Sequence, residues 1–190
     1  NDPPVLDTAP VVVVTGIAED IADVDNTGMT VAALVFNGSI TDVDGSPVEA
    51  IAVTLVNNTY GLWQYKVGAG NWTAFTATQG VVRLGGSSRL LDATDAIRFV
   101  PDANFNGTAT ISYRAWDKSA GSAGGTTDPF AMGGNTAVSA AEETATITVS
   151  PVNDAPTTIG KTITLAEDST YTFTVTDFAF ADVDTGNTFQ

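Results

Sequence analysis

The tetrapeptide that opens the chain, Asn1-Asp2-Pro3-Pro4, returns as Asn153-Asp154-Ala155-Pro156. Its second occurrence follows an extended apolar run, Thr148-Val-Ser-Pro-Val152, and the flanking prolines bar a helix from running through it. Two later features return in the same order: Ala18-Glu19-Asp20 as Ala166-Glu167-Asp168, and Asp42-Val-Asp44 as Asp182-Val-Asp184. Kept order with shortened spacing marks an internal repeat whose first copy carries loop insertions. The expected organisation is one complete repeat over 1–152, a linker over 153–156, and the first two strands of a truncated second repeat over 157–190.

Between these markers the chain is a series of short β-prone runs separated by turns. Val11-Val-Val-Val-Thr15 is β-branched throughout, and strands are expected at Thr30 to Ser39, Ala50 to Asn57, Gly61 to Val67, Val81 to Leu84, Ala96 to Val100, Thr108 to Trp116 and Ala145 to Val149. Gly68-Ala-Gly-Asn71 is a tight turn that predicts a hairpin into Trp72-Thr-Ala-Phe75. Helical periodicity is confined to a turn or two at Ala137 to Thr144. A Gly/Ser/Ala-rich loop from Ser119 to Ala141 is long for a compact domain. The pattern predicts an all-β sandwich. In the second copy, Thr162 to Leu165 and Tyr171 to Val175 are the expected strands. Two strands bury no core alone, so their open edges invite complementation by another chain.

Charge narrows the partners. The chain carries 22 acidic residues against 7 basic ones, a net charge of −15. Nucleic acid and anionic membrane surfaces would repel it, whereas multivalent cations would be attracted. There is no cysteine and no histidine, which removes thiolate and imidazole ligands, the Ser-His-Asp triad and the commonest general base. Carboxylate, amide and carbonyl oxygens remain, and these hard donors select calcium or magnesium. No run of 18 apolar residues is present, so no membrane-spanning helix is expected.

The motifs NDPP and VNDAP at the joints, AED twice, TDVDG and ADVDTG, with FVPDANFNGTATISYRAWD between them, resemble the cadherin-like tandem repeats of giant bacterial surface adhesins, many of them of the repeats-in-toxin class. The resemblance implies a Greek-key, Ig/cadherin-like sandwich at the cell surface or outside the cell. Its role there would be structural extension and adhesion, with calcium stiffening the joints between repeats. Neighbouring repeats would be the immediate partners, and a host or biofilm glycan or protein a distal one.

In that geometry one pole of the first repeat gathers Glu19, Asp20, Asp102, Asn104 and the joint residues Asn153 and Asp154, facing Asp182 and Asp184 of the next copy. Glu19 takes the place of the family's first-domain Glu, Asn153 and Asp154 that of its linker ligands, and Asp182 and Asp184 that of its Asp-x-Asp pair. Pro101-Asp102-Ala-Asn104 departs from the family's charged run. By the same logic Asp2, Asp42, Asp44 and Asp117 form half of a second metal site at the opposite pole.

Other readings of these residues stand beside the family's. An Asp-x-Asp before Gly also makes a simple Asx turn, and this is the expected role of Asp23 and Asp25. Trp63 and Trp72 are either a sugar-stacking platform or core aromatics. A glycan- or protein-binding module using such aromatics and the 119–141 loop is the alternative to a spacer. Carboxylates repeated at turns give no single active site, so an enzyme is not expected.

Overall fold

A computed structural model describes residues 1–9, 11–35, 38–45, 49–130 and 136–184. The chain divides into two compact units, Asn1–Pro151 and Val152–Gln190. The first is an all-β sandwich.

Its larger sheet is built on β5 (Ile51–Asn58), β11 (Gly107–Ala115), β13 (Glu143–Ser150) and β2 (Val12–Ala18). β9 (Ser88–Leu91) and β8 (Gly80–Arg83) share the other edge of β5, and β12 (Thr126–Thr127) lies outside β9. β2 pairs with β13 in parallel, Val12 opposite Ala145 and Ala18 opposite Ser150. The smaller sheet has the order β3 (Met29–Thr30), β10 (Ala96–Pro101), β6 (Gly61–Lys66), β7 (Thr73–Ala74). β1 (Val5–Leu6) and β4 (Ile40–Thr41) form a separate two-stranded ribbon.

Alternation along the strands makes the two layers. In β6, Gly61, Trp63 and Tyr65 face inward while Leu62, Gln64 and Lys66 are half-buried. β13 buries Ala145, Ile147 and Val149 and turns its threonines outward. Trp63, Ile97 and Phe99 from one sheet meet Ile51, Val53, Ile111, Tyr113 and Ile147 from the other in one apolar core. Each such fully buried aliphatic or aromatic side chain contributes about 1.5–3 kcal/mol relative to exposure. Trp63 and Phe99 are in ring contact at 5.3 Å.

The chain changes sheet at Thr59–Tyr60, where Asn57 Oδ1 accepts from the Thr59 N–H at 3.1 Å. Gly61 then passes so close to β10 that a Cβ would stand 2.3 Å from the Val100 carbonyl oxygen, at φ 153°. Only glycine fits there.

β5 is buried on both faces, which explains its nearly unbroken apolar run. Its outer side is covered by a second cluster of Ala50, Ala52, Leu90, Trp116 and Val138. The 119–141 stretch supplies that cover: it carries β12, bridges Val138 to Trp116, and accepts the Trp116 indole N–H at the Ala120 carbonyl, 2.8 Å. Residues 131–135 of it lie outside the described residues.

Several expectations need correction. Of the strand predicted over Thr30 to Ser39, only Thr30 lies in a strand, β3, among the described residues; Val31–Leu34 then forms α1, capped by Thr30 Oγ1 accepting from the Ala33 N–H at 3.2 Å. That cap offers the backbone an alternative to the ladder. Ala137 to Thr144 is not helical, because Val138 is held in its bridge and β13 begins at Glu143. In the second unit neither Thr162 to Leu165 nor Tyr171 to Val175 forms a strand. Phe173 and Val175 are 59% and 65% exposed, and the described residues of that unit contain one β-bridge and a 3-10 turn at Val175–Asp177. Among the described residues of that unit no sheet stands opposite to bury the alternation.

Candidate metal centre

At the pole where the first unit begins, the β1–β4 ribbon brings two turns together. Leu6 and Ile40 pair across the ribbon and are buried, and this anchors Asn1 to Pro4 beside Asp42 to Gly45. Asp42 Oδ1 accepts from the Asp44 N–H at 2.9 Å, closing an Asx turn. Asp44 Oδ2 in turn accepts from the Asp2 N–H. The Asn1 side-chain amide donates to the Asp2 carbonyl at 3.1 Å and to Asp117 Oδ2 at 3.0 Å. Asp117 Oδ1 accepts from the Ser119 N–H at 2.7 Å.

The structure therefore gathers all four residues expected of the second half-site, together with Asn1. Asn1, Pro4, Ile40, Asp42, Asp44 and Asp117 border a cavity of about 130 Å³. Its polar lining is oxygen-rich, the donor chemistry of a hard cation. Within this unit no three carboxylates converge on one point among the described residues. An ion there would complete its shell with water or with oxygens from elsewhere.

The second unit repeats three of these hydrogen bonds. Asn153 Nδ2 donates to the Asp154 carbonyl at 2.9 Å, the Asp154 N–H donates to Asp184 Oδ2 at 2.7 Å, and the Asp184 N–H donates to Asp182 Oδ1 at 2.9 Å. Thr157 and Ala181 form the bridge that corresponds to Val5 and Thr41 of the β1–β4 ribbon. Its two backbone hydrogen bonds measure 2.7 and 2.9 Å. The likeness read from Asn-Asp and Asp-x-Asp is thus a likeness of structure. Asp177, elsewhere in this unit, accepts from Lys161, Tyr171 and Thr174, and these bonds hold its carboxyl well below the usual carboxylate range.

At the opposite pole of the first unit, Glu19 follows β2 and its N–H donates to the Ser150 carbonyl at the end of β13, 3.0 Å. Parallel pairing of β2 with β13 puts Glu19 where the unit ends. The Asn106 side-chain amide donates to Glu19 Oε2 at 3.1 Å. Asn106 is a ligand-type residue outside the set expected from the sequence.

Asp20 is exposed at this pole. The turn that carries Asp102 and Asn104 also lies here, immediately before β11. The Asp102 N–H donates to the Tyr60 carbonyl at 2.9 Å and its own carbonyl accepts from Phe105 at 3.2 Å, while Asn104 adopts φ 59°. Their backbones shape the turn. Asn153, Asp154, Asp182 and Asp184 belong to the second unit and are described within it. Of the turn carboxylates, Asp23 pairs with the buried Arg98 guanidinium at 2.7 Å, and the Asp25 N–H donates to the Ala22 carbonyl at 2.9 Å.

The aromatic platform is corrected. Trp63 is 0% exposed and belongs to the core. Trp72 is half-buried, with Arg98 4.5 Å and Lys66 4.8 Å from its ring centroid, so its π-face already serves two cations. Among the described residues no helix is long and apolar enough to cross a membrane. Comparison with protein-family models, with curated proteins and with solved structures finds no match to this chain.

Proposed function

We propose that the chain is a calcium-dependent extender repeat of a cell-surface or secreted adhesin, in which cations at successive joints stiffen the array. The observation that carries this reading is the duplicated turn: Asn1-Asp2 on Asp42 and Asp44, and Asn153-Asp154 on Asp182 and Asp184, share one hydrogen-bond pattern. A pattern kept between copies that differ in loop length is a functional unit more readily than an incidental turn. Its donor set, carboxylates and amides only, favours calcium over transition metals.

The proposed calcium ligands are Glu19 in the first unit and Asn153, Asp154, Asp182 and Asp184 in the second. At the opposite pole Asp2, Asp42, Asp44 and Asp117, with Asn1, would serve the joint to a preceding repeat. The cation would offset the repulsion among carboxylates that the net charge of −15 implies.

Calorimetric titration of the metal-free protein with calcium, and with magnesium as comparison, tests this. Saturable calcium binding with weaker magnesium binding is expected, with a narrower range of solution shapes by X-ray scattering after calcium addition. No heat of binding, and scattering unchanged between chelator and calcium, would overturn the reading.

A further inference from the structure

We propose that Asn106 is a deamidation site, and that its conversion gives the end of the first unit an added negative charge directly beside Glu19. The sequence contains two Asn-Gly pairs, Asn37-Gly38 and Asn106-Gly107, and Asn37 lies outside the described residues. Deamidation at Asn-Gly needs no enzyme. The Gly107 backbone nitrogen attacks Asn106 Cγ, the Cγ–Nδ2 bond breaks, and ammonia leaves carrying the proton that the Gly107 nitrogen gives up. Water then opens the resulting succinimide at either carbonyl, giving aspartate or isoaspartate. Glycine favours this because it has no Cβ to obstruct the ring closure.

The local structure exposes the pair. Asn106 and Gly107 are both exposed, and Gly107 pairs with Val149 as the terminal rung of the β11–β13 ladder. Terminal rungs open most readily, which frees the attacking nitrogen. Two residues upstream, Asn104 is followed by Phe105, whose side chain hinders the same attack, so one short stretch holds a reactive and an unreactive asparagine.

The consequence comes from the hydrogen bond to Glu19. Asn106 Nδ2 is the donor to Glu19 Oε2 at 3.1 Å, and it is the atom lost as ammonia. A carboxylate in its place removes the donor and sets two like charges side by side, which is unfavourable unless a cation sits between them. The aged protein then depends more on divalent cation at this pole. This second step rests on the calcium reading above; the deamidation does not.

Incubation of the whole chain at neutral to mildly alkaline pH, followed by trypsin, isolates residues 99–114 between Arg98 and Arg114. The expected result is a time-dependent mass gain in that peptide, assigned by fragmentation to position 106 and absent in Asn106→Gln, whose longer side chain cannot close the same ring. No gain in the wild-type peptide overturns the proposal. Asn106→Asp is expected to melt lower than wild type in chelator and to gain more from calcium than wild type does. If both proteins gain equally, the coupling to the cation is wrong. If Asn106→Asp responds while wild type does not, the coupling stands and the calcium reading of the native joint fails.

Discussion

The Asp154 N–H donates to Asp184 Oδ2 at 2.7 Å, and the Asp2 N–H makes the same bond to Asp44 Oδ2. The first pair is separated by 30 residues and the second by 42. The difference in loop-closure entropy between such lengths is only about 0.3 kcal/mol. Insertions between the partners are therefore cheap, and the contact survives them. What the two copies share is a junction: an Asn-Asp backbone tied to an Asx turn through the second carboxylate of an Asp-x-Asp pair.

Asp184→Asn and Asp44→Asn keep the shape of that junction and an oxygen for the neighbouring N–H, but remove a charge. Each is expected to weaken calcium affinity by about tenfold or more, since a lost charged ligand costs on the order of 1.5–3 kcal/mol. Asp25→Asn removes a carboxylate from a turn outside the proposed site and is expected to leave affinity within about twofold, a change under roughly 0.5 kcal/mol. Parallel calorimetric titrations of the three variants decide the matter. Equal losses would show that net charge, and not this set of ligands, governs binding.

Trp63→Ala and Trp72→Ala separate the core from the surface. Trp63 fills the space between the sheets and touches Phe99, so its truncation is expected to cost about 3–5 kcal/mol. Trp72 is half-buried, with Arg98 and Lys66 over its ring, so the loss there is expected to be about 1–2 kcal/mol. Chemical denaturation of both variants measures the difference. A smaller loss at Trp63 than at Trp72 would contradict the core placement.

The long strands were legible because their side-chain alternation runs through enough residues to specify a face: β5, β6, β10, β11 and β13 lie within a residue or two of their expected bounds. β9 was missed because Gly85-Gly86-Ser87 reads as loop, yet Leu90 and Leu91 find partners on β5. The β1 and β4 segments are two residues each and exist only because they meet. At the candidate site, Asp-x-Asp and Asn-Asp were visible as motifs of turn chemistry. Asn106 was not, since its significance depends on Glu19 lying beside it, 87 residues away in sequence. The second unit failed in the opposite sense: Tyr171-Thr-Phe-Thr-Val175 has the alternation of a strand, but alternation states a preference for burial and supplies no surface to bury against.

Glu142 pins the 119–141 stretch to the large sheet. Its carboxylate accepts from Thr54 Oγ1 at 3.0 Å and pairs with Arg83 at 3.2 Å and Arg114 at 3.5 Å. Both guanidinium groups also lie about 5 Å from the Phe130 ring centroid. Glu142→Ala leaves the largely buried Arg114 without its counter-charge and is expected to cost about 1–3 kcal/mol. Hydrogen exchange should rise in 119–130 before it rises in β11. Uniform loss of protection across the sheet would show that this stretch is not a separately opening element.

The Lys161–Asp177 contact gives the second unit a predicted pH range. The Lys161, Tyr171 and Thr174 donors lower the Asp177 pKa, and Asp177 raises that of Lys161. A carboxylate with a depressed folded pKa contributes stability that is fully present above its unfolded value, about 3.9, and is lost as pH falls through the folded value. An ammonium with a raised folded pKa contributes stability that is present below about 10.4 and is lost as pH rises through its folded value. The turn at 174–177 should therefore keep its structure from about pH 4 to about pH 10 and loosen outside that range. Asp177→Asn removes the charge that both shifts depend on, so the acid-side change should vanish in that variant. Carboxyl-carbon NMR titration checks this: Asp177 should remain ionised below the ordinary aspartate range, about 3.9. An Asp177 that protonates within that range would mean that the Lys161 and Tyr171 contacts do not hold the turn in solution.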